Sequence, residues 1–219
     1  IFYVDTKNKF GDGANTVYLK ADYKDTKSLT TDISSLTTDD IQKFKNMNPK
    51  WAAQRGSAQS EWKSYEKGAA WLCAPSQWTT YVDSTKATYA IGGPSVEMYV
   101  ASYNDVKHDT GTAKGGLSAE YSSSNEPGYI YKVNGELQNS GYWTNNDTLD
   151  YKGYNSMYAG ENGSKTGYWW LASPSSYASD RVCRVYGCDA YLGYNYCGYA
   201  CGVGPLVSLK SGIPVQVEE

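Results

Sequence analysis

Histidine is nearly absent from this chain, and phenylalanine, methionine and arginine are scarce: one His, three Phe, three Met and three Arg in 219 residues. Each scarcity closes off a class of function. The single histidine, His108, sits in a polar stretch with no CxxC pair near it, so no Cys/His set for structural zinc can be assembled. Nor can a Ser/His/Asp arrangement be built convincingly around it. His108 reads as a lone surface side chain. The basic residues are scattered, the net charge is −3 and the pI is near 5.3. Nucleic-acid binding needs clustered Lys and Arg, and an anionic membrane surface needs a polybasic stretch; neither is present. No apolar run approaches the ~20 residues of a membrane span. The glycines form neither a G-x-x-x-x-G-K loop nor a dinucleotide fingerprint. No leader peptide is visible, and the chain opens directly on the apolar run Ile1-Phe2-Tyr3-Val4, which suggests that a native start and any anchor lie upstream.

Tyrosine, by contrast, is abundant, with 22 residues against seven Trp. A ring with a polar tip suits surfaces and half-buried sites. The richest stretch is Tyr177 to Cys201, which reads Y-A-S-D-R-V-C-R-V-Y-G-C-D-A-Y-L-G-Y-N-Y-C-G-Y-A-C. It holds six tyrosines, Arg181 and Arg184, and four of the five cysteines, yet no Lys, Glu, Thr, Phe or Trp. Tyr, Ser, Gly, Asn and Arg form the vocabulary of an antibody combining site. Tyr gives large amphipathic contact at low entropy cost, and Arg gives a planar fork. The segment therefore reads as a binding surface, with Val182, Val185 and Leu192 as apolar pins within it. Cys188, Cys197 and Cys201 read as surface thiols or an adventitious disulfide, and Cys73 as a buried core thiol.

The rest of the chain fits one α+β domain with short strands, about two helices and long loops. Residues 1–23 predict two strands around a Gly11-Asp12-Gly13 turn. Thr37-Thr38-Asp39-Asp40 predicts a capped helix start, Ile41, Phe44 and Met47 its buried face, and Pro49 its stop. Trp62 and Tyr65 hint at a short helix within residues 54–66, ahead of an apolar core run at 69–74. Ser95 predicts the cap of a second helix carrying Val96, Met98, Tyr99 and Tyr103 and ending by Asp105. Residues 129–133 with Asn134-Gly135 predict a strand and turn, and residues 139–165 predict long loops. Tyr168 to Pro174 predicts a buried strand, and Val203 to Leu209 a last one. Asn145 to Asp150 is rich enough in oxygen to hold a structural cation, although no metal or cofactor is expected.

The frame W-W-L-A-S-P-S (Trp169 to Ser175), the Tyr/Asn/Ser-rich stretch and G-V-x-P-L-V-S-L-K-S (Gly202 to Ser211) together resemble the C-terminal part of variable proteins of diversity-generating retroelements. W-L-C-A-P-S-Q-W (Trp71 to Trp78) and G-G-P-S-V-E-M-Y-V-A-S-Y (Gly92 to Tyr103) are similar to bacterial and phage relatives of the same fold. The resemblance covers most of the chain and implies a C-type-lectin fold of the formylglycine-generating-enzyme type, a single domain over 1–219. In that family, template adenines are miscopied, so AAC codons become Tyr, Asp, Ser, Gly, Ala, Cys or Arg codons but not Lys, Glu, Gln, Met or Trp codons. The content of Tyr177 to Cys201 matches. The family's G-V-R-P has Gly204 here in place of Arg, a change that AGA to GGA produces.

The resemblance implies a non-catalytic receptor or adhesin with a hypervariable segment at about 177–204. Its contact residues would be Ala178, Asp180, Arg181, Arg184, Tyr186, Cys188, Asp189, Tyr191, Gly193, Tyr194, Asn195, Tyr196, Gly198, Tyr199, Ala200 and Cys201, displayed as one face. The partner would be a protein or cell-surface ligand, met at a bacterial surface, pilus or phage particle. Two other readings remain. An enzyme on the formylglycine-generating fold needs a reactive thiol pair in a cleft, and a carboxylate-pair glycosidase has no spacing to argue for it. A calcium-dependent lectin is faintly suggested by Trp143-Thr144-Asn145-Asn146-Asp147, but Asn125-Glu126-Pro127 has the sugar-reading triplet out of order. Diversification leaves a genomic mark: a near-identical, adenine-rich copy of this segment beside a reverse transcriptase gene. Sequencing the source locus checks this, and a locus without such a repeat counts against it.

Overall fold

The computed structural model describes residues 2–20, 25–30, 32–55, 59–78, 87–91, 93–105, 117–122, 128–133, 136–137, 168–186, 192–204 and 206–209. The long-loop stretch 139–165, His108 and the motifs at 125–127, 134–135 and 143–150 lie outside them. The class is α+β: among the described residues four α-helices accompany three sheets.

The first sheet joins the two ends of the chain. β1 (Tyr3–Asp5) and β2 (Thr16–Lys20) form the expected antiparallel pair, with Tyr3 opposite Tyr18. Gly11, at φ +85°, takes the left-handed turn conformation that other residues resist. β12 (Leu206–Leu209) pairs with β2 on one side and with β4 (Ala87–Ile91) on the other. The second sheet has the order β10-β9-β8-β11-β3, built from β3 (Asp25–Lys27), β8 (Tyr168–Pro174), β9 (Arg181–Tyr186), β10 (Leu192–Tyr196) and β11 (Cys201–Val203). Only its β8–β11 pairing is parallel. The third sheet is β5 (Leu117–Ser122), β6 (Gly128–Val133) and β7 (Glu136–Leu137), tied to the second by a bridge from Tyr129 to Ser175.

The helices show where the sequence was legible. α1 (Thr38–Met47) starts on a full capping box: Thr37 Oγ1 accepts from the Asp40 amide at 3.1 Å, and Asp40 accepts from the Thr37 amide at 2.8 Å. Burial would raise the Asp40 carboxyl, but hydrogen bonds from Ser76 and Thr37 outweigh it and hold the group below the usual carboxylate range. α4 (Val96–Asp105) starts behind Ser95, whose hydroxyl accepts from the Met98 amide at 3.2 Å.

The expected count of about two helices is too low. Pro49 does end α1, but it also opens α2 (Pro49–Arg55), because a proline at the first helical position forfeits no intrahelical bond. α3 (Ser64–Cys73) runs through both the polar stretch and the apolar run. Ala69, Ala70, Leu72 and Cys73 are fully buried, so this helix lacks the one-sided periodicity that would reveal it. The single last strand also divides: β11 and β12 lie in different sheets.

The core fills the space between helices and sheets. Phe44, Trp51 and Trp62 pack edge-on or tilted with centroids 4.6–5.6 Å apart, and Tyr99 meets Trp169 at 5.9 Å. The fully buried Glu66 carboxylate accepts from Trp51 Nε1 (3.0 Å), from Arg55 Nε (2.8 Å) and Nη2, and from the Lys63 amide. Asn48, directly after α1, ties three elements together. Its amide nitrogen donates to the Ala172 carbonyl at 2.7 Å and to Phe44 at 3.2 Å, while its oxygen accepts from the Ser173 hydroxyl. Ser173 Oγ in turn accepts from the Val96 amide at 2.9 Å, at the start of α4.

Removing a buried hydrogen-bond partner leaves its mates unsatisfied, at a cost of roughly 1–3 kcal/mol per group. Asn48→Ala is therefore expected to destabilise the fold by several kcal/mol in urea unfolding, whereas Asp32→Ala, at an exposed position, stays within about 1 kcal/mol.

Candidate ligand-binding surface

The Tyr-rich segment is held by β8, β9 and β10. The register sets Trp169, Val185 and Leu192 side by side across the three strands, and all three are buried. Val182 is fully buried as well, so the three apolar pins read from the sequence are core residues. Beyond β10 the chain turns back on itself. The Cys197 amide donates to the Asp180 carbonyl (2.9 Å), its carbonyl accepts from the Leu29 amide (2.7 Å), and the Tyr199 amide donates to the Tyr196 carbonyl (3.0 Å).

Further along the side of β10 that carries Leu192 lie two pairs of tyrosine rings. Tyr177 stacks on Tyr194 with centroids 4.2 Å apart and planes within 18°. Tyr196, two residues on and so on the same face of β10, meets Tyr199 edge-to-face at 6.1 Å. Tyr177, Tyr196 and Tyr199 are 50%, 41% and 59% exposed, which is large for rings of this size. Tyr196 lies against the backbone of Gly198: a Cβ there would come within 2.3 Å of its ring. Arg181, opposite Tyr196 in the ladder, pairs with Asp180 at 3.2 Å, so these two ions beside the rings offset each other.

The sixteen expected contact residues separate. Tyr196, Tyr199 and Ala200 are exposed; Ala178, Asp180, Arg181, Tyr194, Asn195 and Gly198 are half-buried. Arg184, Gly193 and Cys201 are buried and offer no outer surface. Tyr186 lies in β9 opposite Tyr168, and Cys188, Asp189 and Tyr191 fall outside the described residues. The expectation of one face is corrected by strand geometry. Consecutive residues of a strand point to opposite sides, so Gly193 and Asn195 share a side with their neighbours Arg184 and Val182, away from Tyr194 and Tyr196. Composition marks a segment, not a direction.

The second side forms its own cluster. The Arg184 guanidinium lies 3.7 Å from the ring centroid of Tyr168, a half-exposed residue that opens β8. Arg184 and Asn195 both meet the Cys201 thiol. Sequence reasoning left out Tyr168, which sits ahead of the W-W-L-A-S-P-S frame, and Tyr177, which was counted within the rich segment but not among its contact residues. The available signal for both was ring type beside a strand end.

The cysteines also differ from expectation. Cys197 and Cys201 are buried rather than surface thiols, because each closes a strand or turn against the core. Burial pushes both thiols above their ordinary range, and it pushes Cys73 up to about 12, against a nearby Lys43 that works the other way. No disulfide joins Cys73, Cys183, Cys197 and Cys201. Among the described residues no three His, Cys, Asp or Glu side chains group to hold a metal ion, and no helix is long and apolar enough to cross a membrane. Comparison of the chain with protein-family models, with curated proteins and with solved structures found no match.

Exposed and core positions differ in their tolerance. Tyr196→Ser and Tyr199→Ser are expected to shift stability by about 0.5 kcal/mol or less, whereas Trp170→Ala and Leu192→Ala cost roughly 2–5 kcal/mol. A thermal-unfolding series on the four variants checks this, and Tyr variants that unfold as readily as the core ones would make the row structural.

Proposed function

We propose that this chain is a non-catalytic binding protein, a C-type-lectin-like domain whose tyrosine row is the contact surface for a protein or cell-surface ligand. The observation that carries the reading is the row itself. Tyr177 stacks on Tyr194 and Tyr196 meets Tyr199 edge-to-face; Tyr177, Tyr196 and Tyr199 are exposed, Tyr194 is half-buried, and the strands beside them are anchored by fully buried Val182, Val185 and Leu192. Rings braced against each other lose little entropy on binding, and tyrosine is among the residues that dominate binding hot spots. The division between buried apolar anchors and exposed rings suits a surface whose side chains are varied by retroelement mutagenesis. In this reading the half-buried Arg181 and Asp180 supply polar contacts at the rim, and display is at a bacterial surface, pilus or phage particle.

The test is a binding screen of the purified domain against arrays of bacterial surface proteins and of glycans, followed by alanine substitution. Each of Tyr177→Ala, Tyr196→Ala and Tyr199→Ala is expected to weaken the best hit by about 1–2 kcal/mol, roughly five- to thirty-fold. The fold should stay intact by circular dichroism. Binding that survives the triple variant rejects the row as the site. Glycan binding abolished by a chelator would instead favour a calcium lectin.

A further inference from the structure

Away from the tyrosine row, the turn between β1 and β2 presses Asp12 onto α1. Its carboxylate oxygen Oδ2 takes both the Lys43 ammonium and the Tyr18 hydroxyl. The Lys43 and Asp12 side chains are only 6% and 4% exposed. The Lys43 nitrogen also lies 5.8 Å from the centre of the Tyr18 ring, and the buried Cys73 thiol is close enough to feel both charges. An amine, a carboxyl group and a phenolic donor therefore converge on one atom, in a site largely closed to water.

We propose that Lys43 and Asp12 condense into an intramolecular isopeptide bond. One proton passes from the Lys43 ammonium to the carboxylate, which leaves a neutral amine and a carboxylic acid. The amine nitrogen attacks Cγ of Asp12, and the Cγ–Oδ2 bond breaks. Oδ2 leaves as water, carrying that first proton and a second one from Nζ, and a secondary amide remains. The reaction balances without an oxidant, a reductant or a co-reactant. Three features favour it. The partners are held in contact, so the reaction is unimolecular. The Tyr18 hydroxyl, donating to Oδ2, offsets charge on the departing oxygen. The product removes two opposite charges from a buried place, where an ion pair is costly to keep. Asp12 and Lys43 also line a shallow pocket of about 370 Å³ with Gly11, Gln42 and Asn46, through which water can leave. The bond would tie the β1–β2 turn covalently to α1 and close the chain between residues 12 and 43.

Intact-mass spectrometry of the denatured wild-type chain decides the matter. The expected mass is one water below the sequence value, and proteolysis is expected to release a branched peptide containing both Asp12 and Lys43. Lys43→Arg, which keeps the charge but has no ammonium to condense, is expected at its full mass. A folded wild-type chain that keeps its full mass after prolonged incubation, with the two peptides recovered separately, overturns the proposal. So does a water loss carried on an unbranched peptide, as a succinimide at Asp12-Gly13 would give, or one that persists in Lys43→Arg.

Discussion

Asn48 donates to the Ala172 carbonyl and accepts from Ser173, and through Ser173 it reaches the first amide of α4. Much of the remaining architecture depends on this small buried relay. It fixes the end of α1 and the start of α4 to β8, and β8 is the central strand of the five-stranded sheet. A backbone link from the Ala172 amide to the Pro94 carbonyl at 3.0 Å runs alongside it. Every group in the relay is satisfied, so polar atoms deep in the core specify one arrangement of the helices instead of destabilising it. Apolar packing alone would hold the helices near the sheet without fixing their position along it.

From β8 the order passes outwards to β9 and β10 through the row Trp169, Val185 and Leu192. On β10 that one side carries buried Leu192 at its start and exposed Tyr196 at its end. Among the described residues the tyrosine pairs have little net charge beside them, since Arg181 and Asp180 meet each other. Attraction at long range is therefore small, and binding would rest on ring burial and close fit.

The parts of the fold that were legible in the sequence are those set by local chemistry. Thr37 and Asp40 announced α1, Ser95 announced α4, and the run Tyr168–Pro174 announced β8, because caps and proline act within a few residues. α3 stayed hidden because it is buried on nearly every side. β11 and β12 merged because their sheet partners, Lys27 and Leu19 among them, are remote in sequence. The site divides in the same way. Tyrosine enrichment marked the segment that holds the exposed rings, and the valines marked residues buried in the core. Which rings face solvent follows from the pairing of β9 with β10, and that is a long-range fact. Arg184 shows the gap: its residue type suggested contact, while the register places it under Tyr168.

The ring of Tyr196 rests on bare backbone at Gly198. A side chain at 198 would occupy that space and swing the ring aside, a change a flexible tyrosine can make at small cost. The two positions are therefore not independent letters. What residue 196 presents depends on what stands at 198, and the choice at 199 is coupled in turn, because its ring abuts that of Tyr196. Shapes available to such a surface multiply less quickly than a count of its positions suggests. Neighbouring exchanges would be inherited as pairs, with the same substitution helpful in one background and inert in another.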